Sequence, residues 1–475
     1  MPCPRPPRAF WPTLAALVAG LWLAGCSTVP TPAASPAPFV PDRLTPEARV
    51  AAFDQVANTI AQRYVDAKFN GVDWAAVQQR YRPLALAAPD DEAYWQLLDR
   101  MVGELKDAHT TVRSPLQVRA TRAQRGHHGV QLMRLGEDWV VAGVAGNSQA
   151  ALLGLRPGQR LLKVNGEPVA AWWQQQLEQV RGSSTERSQA LLENRRLNEA
   201  AVDSVLTLDL VRADHSAQAL RLRQDPLQHT LVRSHHLANG LGYLRFAAFN
   251  PAIRGEVDNA LKRLAGTRGL VLDLRGNPGG NLKMTTELLG WWLADGEVGE
   301  VITRDNQRLT ALAGLLDTTP SLKVKAQAQR LAQPLAVLVD ENSASASELL
   351  TAVLQDQGRA RVFGSVSCGC LLATRAGDAL PGGGRLQFSE VDMRIGRGKR
   401  VEGQGVVPDV PVTPNPAAAL AGDDVVLNAA WAWLESQAAA PNPGGPAPTA
   451  NAAPTTTPTV APTTVAQTAP LATRP

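Results

Sequence analysis

The chain has 475 residues, more than one compact core usually takes up, so two or three domains are expected. Hydrophobic residues make up 44% and charged residues 19%, and a formal charge of +4 is spread over segments where Lys and Arg alternate with Asp and Glu. No basic run is interleaved with aromatics, which argues for a solvated surface and against a nucleic-acid partner.

Arg5 and Arg8 precede an apolar run from Leu14 to Leu23, followed by Ala24-Gly25-Cys26. A basic start, a short apolar stretch and small residues at a cut site predict an export signal over 1–25. The run falls short of the ~20 residues that a membrane-crossing helix needs. Leu23-Ala24-Gly25-Cys26 resembles a bacterial lipobox, with a plain secretory signal or an uncleaved anchor the competing readings. That resemblance implies that Cys26 carries lipid as the first mature residue and anchors the chain to a membrane, facing the periplasm. Ser27 is compatible with outer-membrane sorting. Residues 26–45, rich in Pro, Ala, Ser and Thr, read as a flexible tether. Cys3 would leave with the signal, so Cys368 and Cys370 remain in a compartment where thiols tend to oxidise.

Phe53, Val56, Ile60 and Tyr64, then Tyr94, Leu97, Leu98, Met101 and Leu105, recur every three or four positions. They predict a helical domain over 46–115, containing Asp107-Ala108-His109-Thr110. From 126 to 213 short β-like runs alternate with Gly and Asn. Ala151 to Gly166 resembles the helix, Pro-Gly turn and Asn-Gly strand end of a PDZ domain. In that likeness Gly129, Val130, Gln131 and Leu132 occupy the loop and strand edge that would take a peptide's C-terminus by β-augmentation. The alternative is a domain used only as a structural lid. Residues 230–420 alternate strand and helix, with buried-type strands at Gly269–Leu274 and Leu335–Asp340, and imply a layered α/β core. The overall class is therefore α/β and multi-domain: a helical N-terminal domain, a PDZ-like β domain and the layered core. The Ala/Pro/Thr-rich stretch 437–475 is too poor in apolar surface to fold.

The sharpest chemistry lies in Asn342-Ser343-Ala344-Ser345-Ala346-Ser347-Glu348, where a buried strand passes into a helix. A serine there lies at the carboxyl edge of the sheet. The N–H of Ala346 and the positive helix end could stabilise an oxyanion beside it. The plain alternative makes Asn342 and Ser343 helix caps, with Glu348 supporting the first turn. A second strand-to-helix turn, Asp273 to Leu282, carries Gly276, Gly279 and Gly280. Its glycines permit close backbone approach and an anion nest, while the phosphate-loop endings are missing. Gly279, Gly280 and Ala346 are thus the candidate oxyanion donors.

Asp273–Leu282, Asn342–Glu348, Leu354–Ala360 and Glu402–Asp409 together resemble, in order, the signatures of S41 (C-terminal processing, or tail-specific) serine peptidases. The likeness implies cleavage of polypeptides through an acyl-enzyme on Ser345, without metal or cofactor, with Ser343 and Ser347 the weaker candidates. Many such enzymes pair the serine with a lysine 25 residues on, and here that position holds Cys370. A thiol cannot stand in for a desolvated amine as general base. A second branch, similar to the tricorn core, uses Ser/His/Glu, and its motifs fall on His109 and Glu402. His109 could accept the Ser345 proton while a carboxylate fixes the ring tautomer. A structural histidine and a loop acid are the competing readings.

His127-His128 and His235-His236 do not have metal-ligand spacing, and neither HExxH nor CxxC occurs, so no metal is expected. Cys368 and Cys370 are read as a tight disulfide, as free buried thiols, or with Cys370 as a reactive thiol. The rival function is a catalytically inactive, PDZ-containing peptide-binding or scaffold lipoprotein. A thiol redox protein lacks supporting context. Oligomeric state is not readable from this sequence.

Overall fold

The computed structural model describes residues 43–439, except 121–124, 136–137, 145–147, 180–184, 190–199, 202–203, 213, 224, 227–231, 308–319, 376, 414–417 and 419–422. The expected leader 1–25, Cys26 as the expected lipid site, the expected tether up to residue 42 and the chain beyond 439 lie outside the described residues.

Three helices open the described chain: α1 (Pro46–Arg63), α2 (Trp74–Leu86) and α3 (Asp91–Gly103). Each starts at a polar cap, Thr45, Asp73 or Asp90, whose side chain accepts an N–H of the first turn. The 3.6-residue spacing turns Phe53, Val56 and Ile60 onto Tyr94, Leu98 and Met101. Each large side chain so buried contributes about 1.5–3 kcal/mol. The same cluster takes in Leu380, Leu386 and Phe388 from far along the chain. Strand β1 (Thr111–Arg113) pairs antiparallel with Arg385–Gln387, which fastens the end of the helical region to the core.

Next comes an antiparallel sheet: β2 (Val130–Leu135), β3 (Asp138–Val144), β4 (Arg160–Val164), β5 (Val205–Val211) and β6 (Ala217–Arg223), paired in that order. Buried and exposed residues alternate strictly along β6, so one face is core and the other solvent. Helix α4 (Val169–Gln179) lays Trp172 and Trp173 into that core beside Trp139. The expected boundary at 213 cuts the β5–β6 hairpin. The alternation of polar residues along β6 hid a strand that is half solvent-facing, and the sheet continues to Arg223.

The core sheet is β7 (Val232–His236), β8 (Gly242–Phe246), β9 (Leu270–Asp273), β10 (Leu335–Val339), β11 (Ala360–Gly364) and β12 (Val410–Pro411). The β7–β8 pair is antiparallel and the rest are parallel. Leu272, Val337 and Val339 point to one face, onto α5 (Arg254–Arg263), α6 (Leu282–Leu289) and α7 (Ala346–Asp356). Val271, Ala336 and Leu338 point to the other, onto α8 (Val425–Ala439). Burial on both faces explains the unbroken apolar runs of β9 and β10. Helix α8 was not foreseen: it runs three residues into the stretch expected to be unfolded from 437.

Candidate active site

Because β9 and β10 are parallel neighbours in register, with Asp273 opposite Leu338, their exit turns lie side by side at the carboxyl edge. Asp340 ties the two together, its Oδ1 accepting the N–H of Gly276 at 2.8 Å and of Asn342 at 3.1 Å. Burial first, then the neighbouring Glu341 carboxylate, pushes Asp340 up to about 6.

Three serines stand in the β10–α7 turn, and the structure treats them differently. Ser343 and Ser347 are fully buried, and their hydroxyls donate to the carbonyls of Leu274 (2.8 Å) and Asn277 (2.9 Å). Ser345 is half-buried and caps α7 with φ +55° and ψ −115°. Such a conformation costs about 1–3 kcal/mol in a non-glycine residue and persists only where its surroundings enforce it. Asn342 and Ser343, the capping alternatives, precede the cap instead of forming it.

The glycine turn packs directly on this serine. A Cβ on Gly279 (φ +89°) would lie 2.5 Å from Ala344 O, 2.6 Å from Ala346 N and 2.7 Å from Ser345 Cβ, so only glycine fits. The N–H of Gly279 donates to Asn277 Oδ1 at 2.9 Å and is therefore already engaged. Phe249 holds the next residue in place: its N–H donates to Gly279 O and its carbonyl accepts from Asn281. Among the described residues, no hydrogen bond uses the N–H of Gly280 or of Ala346.

Facing the turn is the loop 367–372. Cys368 and Cys370 are joined to each other, Cα to Cα 5.3 Å, and are buried against Ala344 and Ala108. Four successive N–H groups of this loop divide between two buried carboxylates. Gly369 and Cys370 donate to Glu348 at 2.7 and 2.9 Å; Leu371 and Leu372 donate to Glu402 at 2.5 and 3.0 Å. Glu348 also accepts the Ser367 hydroxyl (2.6 Å) and the N–H of Ser345 (2.9 Å). Burial raises the Glu348 carboxyl against the pull of these four donors. Glu348 was expected only to support the helix start. Its reach to residues 367–370, some twenty positions on, leaves no local signal.

His109 approaches from the helical region. Asp107 shapes its loop, accepting the His109 N–H at 2.9 Å through Oδ1 and the Thr110 hydroxyl through Oδ2. Thr110 in turn accepts the N–H of Ser389 at 3.2 Å. Ala108, one residue before His109, packs against the Cys368–Cys370 pair. Burial, with the Asp107 and Glu402 carboxylates adding to it, drives the Tyr64 phenol far above its ordinary value. The segment 185–189 adds contacts that sequence reasoning missed. Thr185 Oγ1 donates to Cys368 O at 2.7 Å, and Arg187 to the carbonyls of Ser367 (2.7 Å) and Gln404 (2.8 Å).

Gly129 through Leu132 lie elsewhere, at the start of the edge strand β2. Gly129 has φ +74°, and Val130 and Leu132 point into the sheet's own core. No helix among the described residues is long and apolar enough to cross a membrane.

A model of peptidase family S41 matches residues 240–412, and one of the tricorn protease C1 domain matches 46–103. A carboxyl-terminal-processing protease of Synechocystis sp. is 27% identical over 322 residues, covering 65% of this chain and 68% of that relative. The chloroplastic carboxyl-terminal-processing peptidase 3 of Arabidopsis thaliana is 26% identical over 333 residues, covering 65% of this chain. The chain spans 59% of that relative's length. In fold it is similar to a photosystem II D1 C-terminal processing protease, with a TM-score of 0.56 and 22% identity over 78% of this chain and 94% of that one. Mature CPAF is also similar in fold, at TM-score 0.58 and 14% identity over 82% and 97%. Residues 240–412 thus carry a peptidase family S41 domain, and residues 46–103 a tricorn protease C1 domain.

Proposed function

We propose that the chain is a serine endopeptidase that cleaves protein or peptide substrates through an acyl-enzyme on Ser345. His109 takes the Ser345 proton as the oxygen attacks the scissile carbonyl, then gives it to the leaving amine. Glu402 holds the imidazole in its productive orientation. The N–H groups of Ala346 and Gly280 receive the oxyanion, a contribution worth about 10²–10³-fold in rate per donor. Gly279 serves by leaving room, since its own N–H is engaged. No cofactor enters this scheme.

The observation that carries the reading is the Ser345 backbone. A residue at φ +55° pressed against a glycine that admits no side chain is held at a cost in stability, which a purely structural helix cap would not need. The same observation speaks against the inactive scaffold that the loss of lysine at position 370 would otherwise suggest.

Residues 126–223 act as a PDZ-like module whose β2 edge admits a substrate strand, with the Gly129–Leu132 backbone receiving its C-terminus. Lipid on Cys26 would hold the enzyme at the cell-envelope membrane, facing the periplasm. The test is incubation of the mature protein with an unfolded protein substrate beside Ser345→Ala, His109→Ala and Cys370→Ala variants. Cleavage is expected to vanish with Ser345→Ala and to fall sharply with His109→Ala. Cleavage that persists in Ser345→Ala defeats the nucleophile. Cleavage that survives His109→Ala but disappears with Cys370→Ala defeats the triad.

A further inference from the structure

The half-buried Ser345 needs its unusual backbone enforced, and one enforcing contact is its N–H on Glu348 Oε2. The same oxygen accepts the N–H of Cys370, while Oε1 accepts from Gly369 and Ser367. A carboxylate with four donors has no slack: moving any one of them shifts the atom that the nucleophile's backbone rests on. Gly369 lies at the hinge of this arrangement, with φ +76° and Gly403 and Gly405 backbone atoms 3.1–3.2 Å from where a Cβ would be. Both N–H groups aimed at Glu348 flank its dihedrals, so free rotation there would withdraw them. The Cys368–Cys370 disulfide closes a ring across Gly369 and removes that freedom. Cys368 N–H donates to Ser343 O at 3.0 Å, which fixes the ring's near side to the serine turn. On its far side the next two N–H groups hold Glu402.

We propose that Glu348 and the Cys368–Cys370 loop form a single positioning strut that sets the Ser345 turn for attack, a role that rests on Ser345 being the nucleophile. Neither group touches substrate; both act through the serine's backbone. The strut occupies the place where a lysine would otherwise be expected, and it uses that residue's N–H in place of its side chain. Losing a charge-assisted hydrogen bond of this kind lowers the reaction rate about tenfold or more.

The experiment measures fluorophosphonate labelling of Ser345 in the mature protein, prepared without reductant, resolving the maximal labelling rate from the half-saturating probe concentration. The variants are Glu348→Gln, Cys368→Ala/Cys370→Ala, their combination, Ser367→Ala and Ser345→Ala. A carboxamide must turn its NH2 toward one of the two donor pairs, so Glu348→Gln is expected to lose about tenfold in maximal rate with unchanged half-saturation. The double alanine variant loses a similar factor, and the combination is no slower than the worse of the two, because both act through one strut. A general loss of packing would instead add and would move half-saturation as well. Should Glu348→Gln not fold, Ser367→Ala removes one donor and is expected to slow labelling about threefold. Wild-type labelling rates in either the Glu348→Gln or the double alanine variant overturn the proposal, as do losses that simply multiply. Two free thiols by intact mass in wild type that labels at full rate overturn it too. Labelling of Ser345→Ala, or none of wild type, defeats the nucleophile reading itself.

Discussion

Replacing Gly279 by alanine puts the strand-turn geometry under the most direct strain. The added methyl would sit 2.5 Å from Ala344 O, 2.6 Å from Ala346 N and 2.7 Å from Ser345 Cβ, two of them backbone atoms that cannot swing away. An L-residue at φ +89° costs about 1–2 kcal/mol by itself. Forcing the extra carbon into a packed site adds about 1–3 kcal/mol, for a total of about 2–5 kcal/mol. Gly358→Ala is the matched control: its φ is +62°, but nothing lies within 4 Å of the new Cβ. It has the backbone cost, about 1–2 kcal/mol, partly offset by a stiffer unfolded chain. Urea unfolding of both variants gives the stability difference, and fluorophosphonate labelling gives the reactivity of Ser345. Gly279→Ala should be the less stable by about 1–3 kcal/mol and should label at least about 10²-fold more slowly, because the Ala346 N–H is displaced. Equal labelling by the two variants would refute the claim that the glycine turn and the serine turn form one site.

Other substitutions probe the same frame. Ser345→Gly should abolish labelling yet raise unfolding stability by about 1 kcal/mol, since relieved strain of about 1–3 kcal/mol exceeds glycine's entropic cost of about 0.5–1; lower stability by urea titration would argue against strain at this residue. If Glu402 orients His109 as proposed, Glu402→Gln should lower kcat on a peptide substrate about 10²-fold with little change in KM, because a carboxamide whose oxygen keeps the Leu371 and Leu372 N–H groups turns an NH2 in place of a carboxylate oxygen to the imidazolium. Asp273 is buried, which alone would raise its carboxyl, but Arg275 and Arg245 hold it well below the usual carboxylate range. A depressed folded value means stability that is present above the unfolded value of about 4 and is lost as pH falls. Asp273→Asn should therefore cost about 3–5 kcal/mol near neutrality, and its deficit in urea unfolding should shrink below about pH 4.

What could be read from the sequence follows the range of the forces involved. The strands β9 and β10 were legible because burial on both faces leaves an unbroken apolar run, and α1 and α3 because one buried face repeats every 3.6 residues. The adjacency of the Asp273–Leu282 and Asn342–Glu348 turns was legible too, since parallel neighbouring strands must end at the same edge. Contacts made by single polar atoms over long separations were not. Glu348 reads as an ordinary first-turn acid until Ser367, Gly369 and Cys370 fold back onto it. Asn277 gives no sign that its side chain takes the N–H of Gly279. Helix α8 escaped because its Ala- and Trp-rich face only makes sense once the second face of the core sheet is seen to need covering.

The chemistry at position 370 then follows from what surrounds it. The N–H of Cys370 lies 2.9 Å from a Glu348 oxygen, and its sulfur is bonded to Cys368. A lysine placed there by mutation would put an ammonium into a loop that already rests on the buried Glu348 carboxylate, and an opposite charge within about 4–6 Å favours the protonated amine. A protonated lysine cannot accept a proton from Ser345. It would also break the ring that holds Gly369. Cys370→Lys should therefore fail to restore reactivity to a His109→Ala enzyme, leaving fluorophosphonate labelling at the His109→Ala level, about 10²–10⁴-fold below wild type. Recovery of tenfold or more in the double variant, about 1.4 kcal/mol of barrier, would mean that the fold still accommodates a Ser/Lys pair. The proposed assignment of the base to His109 would then lose support, since it rests on Cys370 being tied up in the disulfide with Cys368 and on Ala108, the neighbour of His109, packing against that pair.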